Sequence, residues 1–385
     1  MGGRRILFVS HSAAISGAEV ILLELAKHIG NASAFVFQRG PLADRLGGMG
    51  LPVKTAARAG GVSAVTRGGS IWKALPLAGR LVSITREIAR AASDHRVIYA
   101  NSQKAFVLSA VAAFFLRKPL IWHLHDIPDR THFGRMQLKL QILLANISAK
   151  RVIVPSMAVS RAFVEAGGTE ALVRIVPNGV EIRTSEAWTK RELRAVLGLP
   201  EGPLVGVFSR LARWKGQHVL LDALVDLPDV RCIIAGTALF GEDAYAEELH
   251  ALARRRGLGG RVLFMGHRND IADLMRAVDV VIHPSIAPEP FGLTVVEGML
   301  AGTPVVGTAA GAIPEILDEG RAGWLVAPDD AEALGRAIAG IFSSPEEAER
   351  RSAHARVRAE TFYSAERMVR EIAALIDEVS AETGP

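Results

Sequence analysis

Short apolar runs that stop abruptly at polar or turn residues, each followed by a helical stretch, recur along the whole 385-residue chain. RRILFVS (4–10) is the first, and the amphipathic AEVILLELAKHI (18–29), stopped by Gly30, follows it. VIYA (97–100), LIWHLH (120–125), RVIVPS (151–156) and VRIVPN (173–178) continue the series. Apolar runs without polar alternation fit parallel strands buried on both faces. Their alternation with helices argues for a doubly wound α/β sheet. After a polar helix at 189–197 and a break between Pro200 and Pro203 the pattern restarts. LVGVFSR (204–210), RCIIAG (231–236), RVLFMG (261–266), DVVIHPS (279–285) and TPVVGT (303–308) are five further strands. A chain of this length exceeds one ordinary core. The expectation is two Rossmann-like domains, 1–185 and 186–363. A last helix over 364–380, apolar at Met368, Ile372, Leu375, Ile376 and Val379, is free to pack back on the first domain. Ser344, Pro345 and Glu347 predict a capping box ahead of it.

In such sheets ligands bind beyond the C-terminal strand ends. There the segment EPFGLTVVE (289–297) draws attention, because two carboxylates frame an apolar stretch. Pro290 and Gly292 interrupt any helix before Leu293, which places Glu289 in a loop. Residues 293–301 read as a short buried helix ended by Gly302. Glu297 then sits one turn into a helix and Glu289 just ahead of its N-terminus, where backbone N–H groups favour an anion or a hydroxyl-rich ligand. A helix cap at Glu289 and a buried partner for Glu297 fit these nine residues equally well.

Composition narrows the function classes. Hydrophobic residues make up 49% and charged residues 22% of the chain, as in a globular protein with a large aliphatic core. No stretch reaches the ~18 apolar residues of a membrane span; the nearest is AFVLSAVAAFFL (105–116). The N-terminal apolar run is too short for a signal peptide, and Arg5 and Ile6 do not suit myristoylation of Gly2. The one cysteine, Cys232, allows neither a disulfide framework nor a thiolate metal cluster, so a reducing cytoplasm is the expected location. Residues 1–185 carry 24 Lys and Arg against 10 Asp and Glu, and the remainder 21 against 30. A basic first half points to an acidic substrate or an anionic membrane surface as partner. Aromatic–basic interleaving of the nucleic-acid kind is absent, so no nucleic-acid partner is expected. Segments 72–90 and 132–150 mix basic and apolar residues at helical spacing, which fits core-packed helices with solvated faces or helices resting on a membrane's inner leaflet.

Other strand ends carry weaker signals. HSAAISGAEV (11–20) offers Gly17 for close backbone approach and Glu19 for the helix N-terminus, although a plain β–α turn reads the same way. SRLARWKGQ (209–217) places Arg210 and Lys215 where a guanidinium fork and an ammonium suit a diphosphate, or a solvated surface. Taken together, SRLARWKG, IIAG, VLFMGHRND and IHPSIAPEPFGLTVVEGMLAGTPVVG, preceded by SGAE, IYANS, HLHD, VIVPS and VPNGVE, closely resemble the retaining GT-B glycosyltransferases of family 4. The resemblance covers essentially the whole chain. One departure is the single glycine of Ala310, Gly311 and Ala312, where the family often has two.

The resemblance implies an α/β GT-B fold, two Rossmann-like domains facing each other across a crevice. It also implies transfer of a sugar from a nucleoside-diphosphate sugar to a hydroxyl of a glycan or lipid-linked acceptor, in cell-surface polysaccharide or glycolipid biosynthesis. Glu289 would contact the donor sugar's hydroxyls and Glu297 the ribose. Phe291, Gly292 and Leu293 would bring backbone amides to the phosphate and sugar. Arg210 and Lys215 would neutralise the pyrophosphate, and His125 would lie beside the reacting sugar, with His123 as its rival. Gly17 matches a loop by the phosphates or acceptor. Gly236, Gly266 and His267 lie in loops around the base. Front-face attack with proton transfer to the leaving phosphate would need no metal and no cofactor, and no DxD segment or metal-ligand spacing stands out. A retaining glycosidase pair needs carboxyls ~5 Å apart. Eight helical residues would span ~12 Å, so donor recognition is the expectation. A nucleotide-sugar epimerase or a non-catalytic binding protein on the same fold are the alternatives; a phosphorylase lacks a segment for its pyridoxal lysine.

Overall fold

The computed structural model describes residues 6–57, 78–129, 133–181, 188–239 and 241–382. It divides into two compact units, residues 1–179 with 365–385, and residues 180–364.

The first unit is built on seven parallel strands: β1 (Ile6–Ser10), β2 (Ala32–Val36), β3 (Val53–Thr55), β4 (Val97–Ala100), β5 (Leu120–His123), β6 (Ala149–Val154) and β7 (Val173–Ile175), in the order β3-β2-β1-β4-β5-β6-β7. β1 pairs with β2 from Ile6 against Ala32 and with β4 from Ile6 against Val97. Every residue of β1, β4 and β5 is buried, as unalternating apolar runs require when helices cover both faces. Phe106 stacks on Trp122 at 4.1 Å between ring centroids, in the layer beside the sheet. The helix Ala365–Ala381 belongs to this unit. It buries Met368, Ile372, Leu375, Ile376 and Val379, while its Glu378 pairs with Arg151 of β6.

Six parallel strands form the second unit: β8 (Leu204–Phe208), β9 (Arg231–Ala235), β10 (Val262–Gly266), β11 (Val280–His283), β12 (Val305–Thr308) and β13 (Trp324–Val326), in the order β10-β9-β8-β11-β12-β13. Arg194, on the helix Lys190–Leu197, reaches Asp279 at 2.8 Å and the carbonyls of Ala277 and Gly202, which fixes that helix at the entrance to β11. Among the described residues no helix is long and apolar enough to cross a membrane.

Three strands escape a reading based on apolar runs. β3 and β13 are three residues long and lie at sheet edges, and β2 begins on half-buried alanine and serine. The capping box expected at Ser344 does not form. That side chain caps nothing, and Glu347 is held instead by charge-assisted bonds from Arg350 and Arg351 one turn on. Boxes at Ser16–Glu19 and Thr189–Glu192 do form. Of the basic segment 72–90, the part before 78 lies outside the described residues.

Candidate active site

Strand order in the second unit reverses between β8 and β11, and that reversal opens a place for ligand beyond their C-terminal ends. The chain leaving β8 makes a short 3-10 turn, Arg213–Lys215; the chain leaving β11 reaches Glu289 and then the helix Leu293–Leu300. Lys215 and Glu289 meet there, Nζ 2.6 Å from Oε1. Ser285 donates to the same oxygen at 2.6 Å, and His283 Nε2 stands 3.2 Å from it. Burial would raise this carboxyl, but Lys215 and His283 overcome it and hold Glu289 well below the usual carboxylate range. Oε1 is therefore crowded with protein donors, whereas Oε2 has no partner among the described residues. Removing one partner of so buried a pair would strand the other's charge.

Local backbone explains why the loop can sit so close. Glu289 bridges Gly311, whose φ is +62°, and a Cβ there would lie 2.2 Å from the Glu289 carbonyl oxygen. One glycine at this point suffices for the approach. On the β8 side, Lys215 Nζ and the Arg210 guanidinium lie 4.2 and 5.4 Å from the centre of the Trp214 ring, so both cations are gathered on one indole.

A cavity of about 250 Å³ lies beyond β8 and β9, lined by Phe208, Ser209, Ala235, Gly236, His267, Arg268, Ile271 and Glu297. Gly236, at φ +148°, makes it possible: a Cβ would fall 1.9 Å from the Ser209 carbonyl oxygen. Its N–H donates to Gly266 at 2.8 Å, closing the ends of β9 and β10 together. Arg268 is pinned by Asp270. Glu297 is half-buried, and its carboxyl has no hydrogen-bond or ion-pair partner among the described residues; burial alone pushes it up to about 7. An acid held in this way gains most from a ligand that donates hydrogen bonds. Phe291 is buried edge-on to Tyr363, Gly292 precedes the helix, and Thr294 ties the first turn after Leu293 to the Phe208 carbonyl at 3.0 Å. A larger hollow of about 610 Å³ beside Trp324 contains Arg321, Arg350 and Arg351, but Asp318 and Glu347 already neutralise them.

The first unit reverses its strand order between β1 and β4, and polar side chains gather there too. Asn101, just past β4, donates through Nδ2 to the Ala18 carbonyl at 3.0 Å. Its Oδ1 therefore faces His125, whose Nε2 lies 3.0 Å away. An amide oxygen only accepts, so Nε2 carries the hydrogen and Nδ1 of neutral His125 keeps the lone pair. Burial lowers His125 to about 3. His123 is fully buried, takes Tyr99 Oη at 2.7 Å on Nδ1, and lies under His125 with ring centroids 3.9 Å apart. Burial first, then His125, keeps it well below the ordinary histidine range. Gly17 is the exposed first residue of the helix Gly17–His28; its neighbour Ser16 donates to Glu19, and His11 meets Ser102 at 2.7 Å.

The structure thus brings Arg210 and Lys215 onto Trp214 and Lys215 onto Glu289, two residues ahead of Phe291, and gathers Glu297, Gly236 and His267 round one cavity, with Gly266 bonded to Gly236. His125 and Gly17 belong to the first unit. Sequence reading missed His283 and Ser285 as ligands of Glu289, and Asn101 as the residue that sets the His125 tautomer. DVVIHPS and IYANS were legible as strand ends, but nothing in them names a partner 4, 6 or 24 residues away. Among the described residues no group of three or more His, Cys, Asp or Glu could hold a metal ion.

Two doubly wound parallel sheets, with a charged strand-end site and a recessed cavity on the second, define a GT-B glycosyltransferase. Comparison with known proteins gives the family. The family model described as Glycosyltransferase Family 4 matches residues 15–184, and that described as Glycosyl transferases group 1 matches residues 189–358. The chain belongs to glycosyltransferase family 4. It is 31% identical over 277 residues to the lipopolysaccharide core biosynthesis mannosyltransferase LpsB of Rhizobium meliloti, covering 67% of this chain and 79% of that one. It is 35% identical over 177 residues to the D-inositol 3-phosphate glycosyltransferase of Mycobacterium marinum, which is 45% of this chain and only 38% of that relative's length. The crystal structure of Anabaena HepE in complex with UDP and glucose is similar over 97% of this chain and 99% of that one, with 36% identity and a TM-score of 0.87.

Proposed function

We propose that this glycosyltransferase takes a nucleoside-diphosphate sugar on its second unit and transfers the sugar, with retention at the anomeric carbon, to a hydroxyl of a glycan or lipid-linked acceptor. Cell-surface polysaccharide or glycolipid assembly is the setting, which the likeness to LpsB supports. The observation that carries the reading is the pair of differently prepared carboxylates eight residues apart. Glu289 is ionised, anchored through Oε1 and unpartnered at Oε2. Glu297 faces a cavity without a partner. Hydroxyl groups of a sugar and of a ribose complement such acceptors. UDP and glucose in the HepE crystal support a donor of this class.

In the proposed reaction the acceptor oxygen bonds to the anomeric carbon as the bond from that carbon to the phosphate oxygen breaks. The acceptor's proton passes to the departing diphosphate. Arg210 and Lys215 meet the charge that develops on that leaving group, and the amides from Phe291 to Leu293 add fixed dipoles. Neutral His125 offers its Nδ1 lone pair to a sugar hydroxyl. Two cations and a helix N-terminus make the reaction independent of metal. A thermal-shift screen of UDP, GDP, ADP and UDP-glucose tests the donor class, because a ligand at 100 times its Kd adds ~2.7 kcal/mol of stability. No shift with any nucleotide contradicts the reading. Product formation unchanged by a chelator, with the donor's anomeric configuration kept in the product's NMR spectrum, tests metal independence and retention.

A further inference from the structure

Two neighbouring helices of the first unit, Gln103–Leu116 and Arg135–Ser148, turn apolar side chains to solvent as well as to the core. The first buries Ala105, Phe106 and Ala113, yet leaves Val111, Phe114 and Phe115 exposed, Phe115 to 77%. The second buries Leu138, Ile142 and Ala145, while Met136, Leu143 and Ile147 are 64, 55 and 64% exposed. At about 3.6 residues per turn those three share one face with Lys139. Scattered exposed apolar residues are ordinary, but six on two packed helices mark an interaction surface.

Charge identifies the occupant. Residues 103–118 and 133–151 contain seven Lys and Arg and no Asp or Glu. Lys118 is turned inward onto the carbonyls of Ala92 and Ser93, and Arg151 onto Glu378. Arg117, Arg135, Lys139 and Lys150 are exposed, with no ion pair among the described residues. A second copy would set these cations against themselves, and like charges face to face are repulsive. Apolar side chains for an acyl boundary, framed by unpaired cations, complement an anionic lipid surface.

We propose that this two-helix face rests on an anionic bilayer, with Phe114, Phe115, Leu143 and Ile147 entering the headgroup region and the four cations reading lipid charge. The surface is separate from the donor site and does not depend on the donor's identity. The full chain should co-sediment at least about tenfold better with phosphatidylcholine vesicles containing phosphatidylglycerol than with phosphatidylcholine alone. Binding should weaken between 0.1 and 1 M salt, as the Debye length shrinks from ~10 to ~3 Å. The doubles Phe114→Ser with Phe115→Ser, and Arg135→Glu with Lys139→Glu, should each lose most of it. The thermal shift with UDP, which reports on the second unit, should be unchanged in both variants, so a failed lipid arm and a failed donor reading give different results. Equal binding to neutral and anionic vesicles, or variants that sediment like the parent, overturns the proposal. So does a concentration-dependent dimer in sedimentation velocity that either double abolishes, because the face would then belong to a second copy.

Discussion

The two sheets share a strand order through their first six strands, and at the same topological point they carry different chemistry. Beyond β1, β4 and β5 hydrogen-bonded side chains gather: Asn101 on the Ala18 carbonyl, Ser102 with His11, the buried Glu19 on Ser16, and an imidazole pair that burial keeps uncharged. Beyond β8 and β11 they are ionic: Lys215 on Glu289, Arg210 on Trp214, and an unpartnered Glu297. Backbone topology decides where a ligand docks, and the side chains placed there decide its charge. A departing diphosphate needs cations that stay charged as it leaves, whereas an uncharged imidazole suits a hydroxyl that donates to its lone pair.

Breaking the ionic end should have the largest effect. Arg210→Ala and Lys215→Ala should each lower turnover at least about a hundredfold, on the order of 2.7 kcal/mol of transition-state stabilisation. The Lys215 change should also lower Tm, since it leaves Glu289 buried without its cation. Near-normal turnover by both folded variants would remove the contrast between the two sheets.

At the first sheet's end the two histidines should separate by kind of damage. His125→Ala should cut transfer while Tm stays close to the parent's. His123→Ala, which removes a buried ring bonded to Tyr99, should cost stability first. Assays of both variants below their unfolding temperatures decide it. A larger activity loss in His123→Ala would move the role to that residue.

A smaller effect follows from Glu297 and sharpens the comparison through pH. Its folded-state pKa, about 7, lies above the ordinary carboxylate value, so the ligand-free protein should lose stability as pH rises from about 4.5 through about 7. Affinity for UDP-glucose should move the other way, rising roughly tenfold from pH 6 to pH 8, because ribose hydroxyls donate to the ionised form. UDP-glucose is the suitable probe, since its diphosphate does not titrate in that range. Glu297→Gln should flatten both trends; a pH dependence of binding that survives the change assigns it to another group.

What was legible follows from which interactions are local. Strands buried on both faces announce themselves as apolar runs, so VIYA at 97–100 coincides with β4 residue for residue. β3 (VKT) has one apolar residue and leaves no such mark, and β13 (WLV) escapes the reading, although the equally short edge strand β7 shows in VRIVPN. At the candidate site, the position of Glu289 ahead of a helix could be read from Pro290 and Gly292. Its pairing with Lys215, 74 residues earlier, has no local signature. Asn101 and His125 likewise meet only because β4 and β5 are adjacent. The box at Ser344 failed for the complementary reason: a local motif lost its glutamate to two arginines within the same helix.

The central claim is that Glu289 and Glu297 divide the donor between them, sugar for the first and ribose for the second. Titrating UDP and UDP-glucose into Glu289→Gln and Glu297→Gln tests it most directly. Glu297→Gln should weaken both ligands. Glu289→Gln should bind UDP as well as the parent or better, because Lys215 is released, while losing the contribution of the glucose and transfer with it. Equal loss of UDP binding in the two variants would contradict the division.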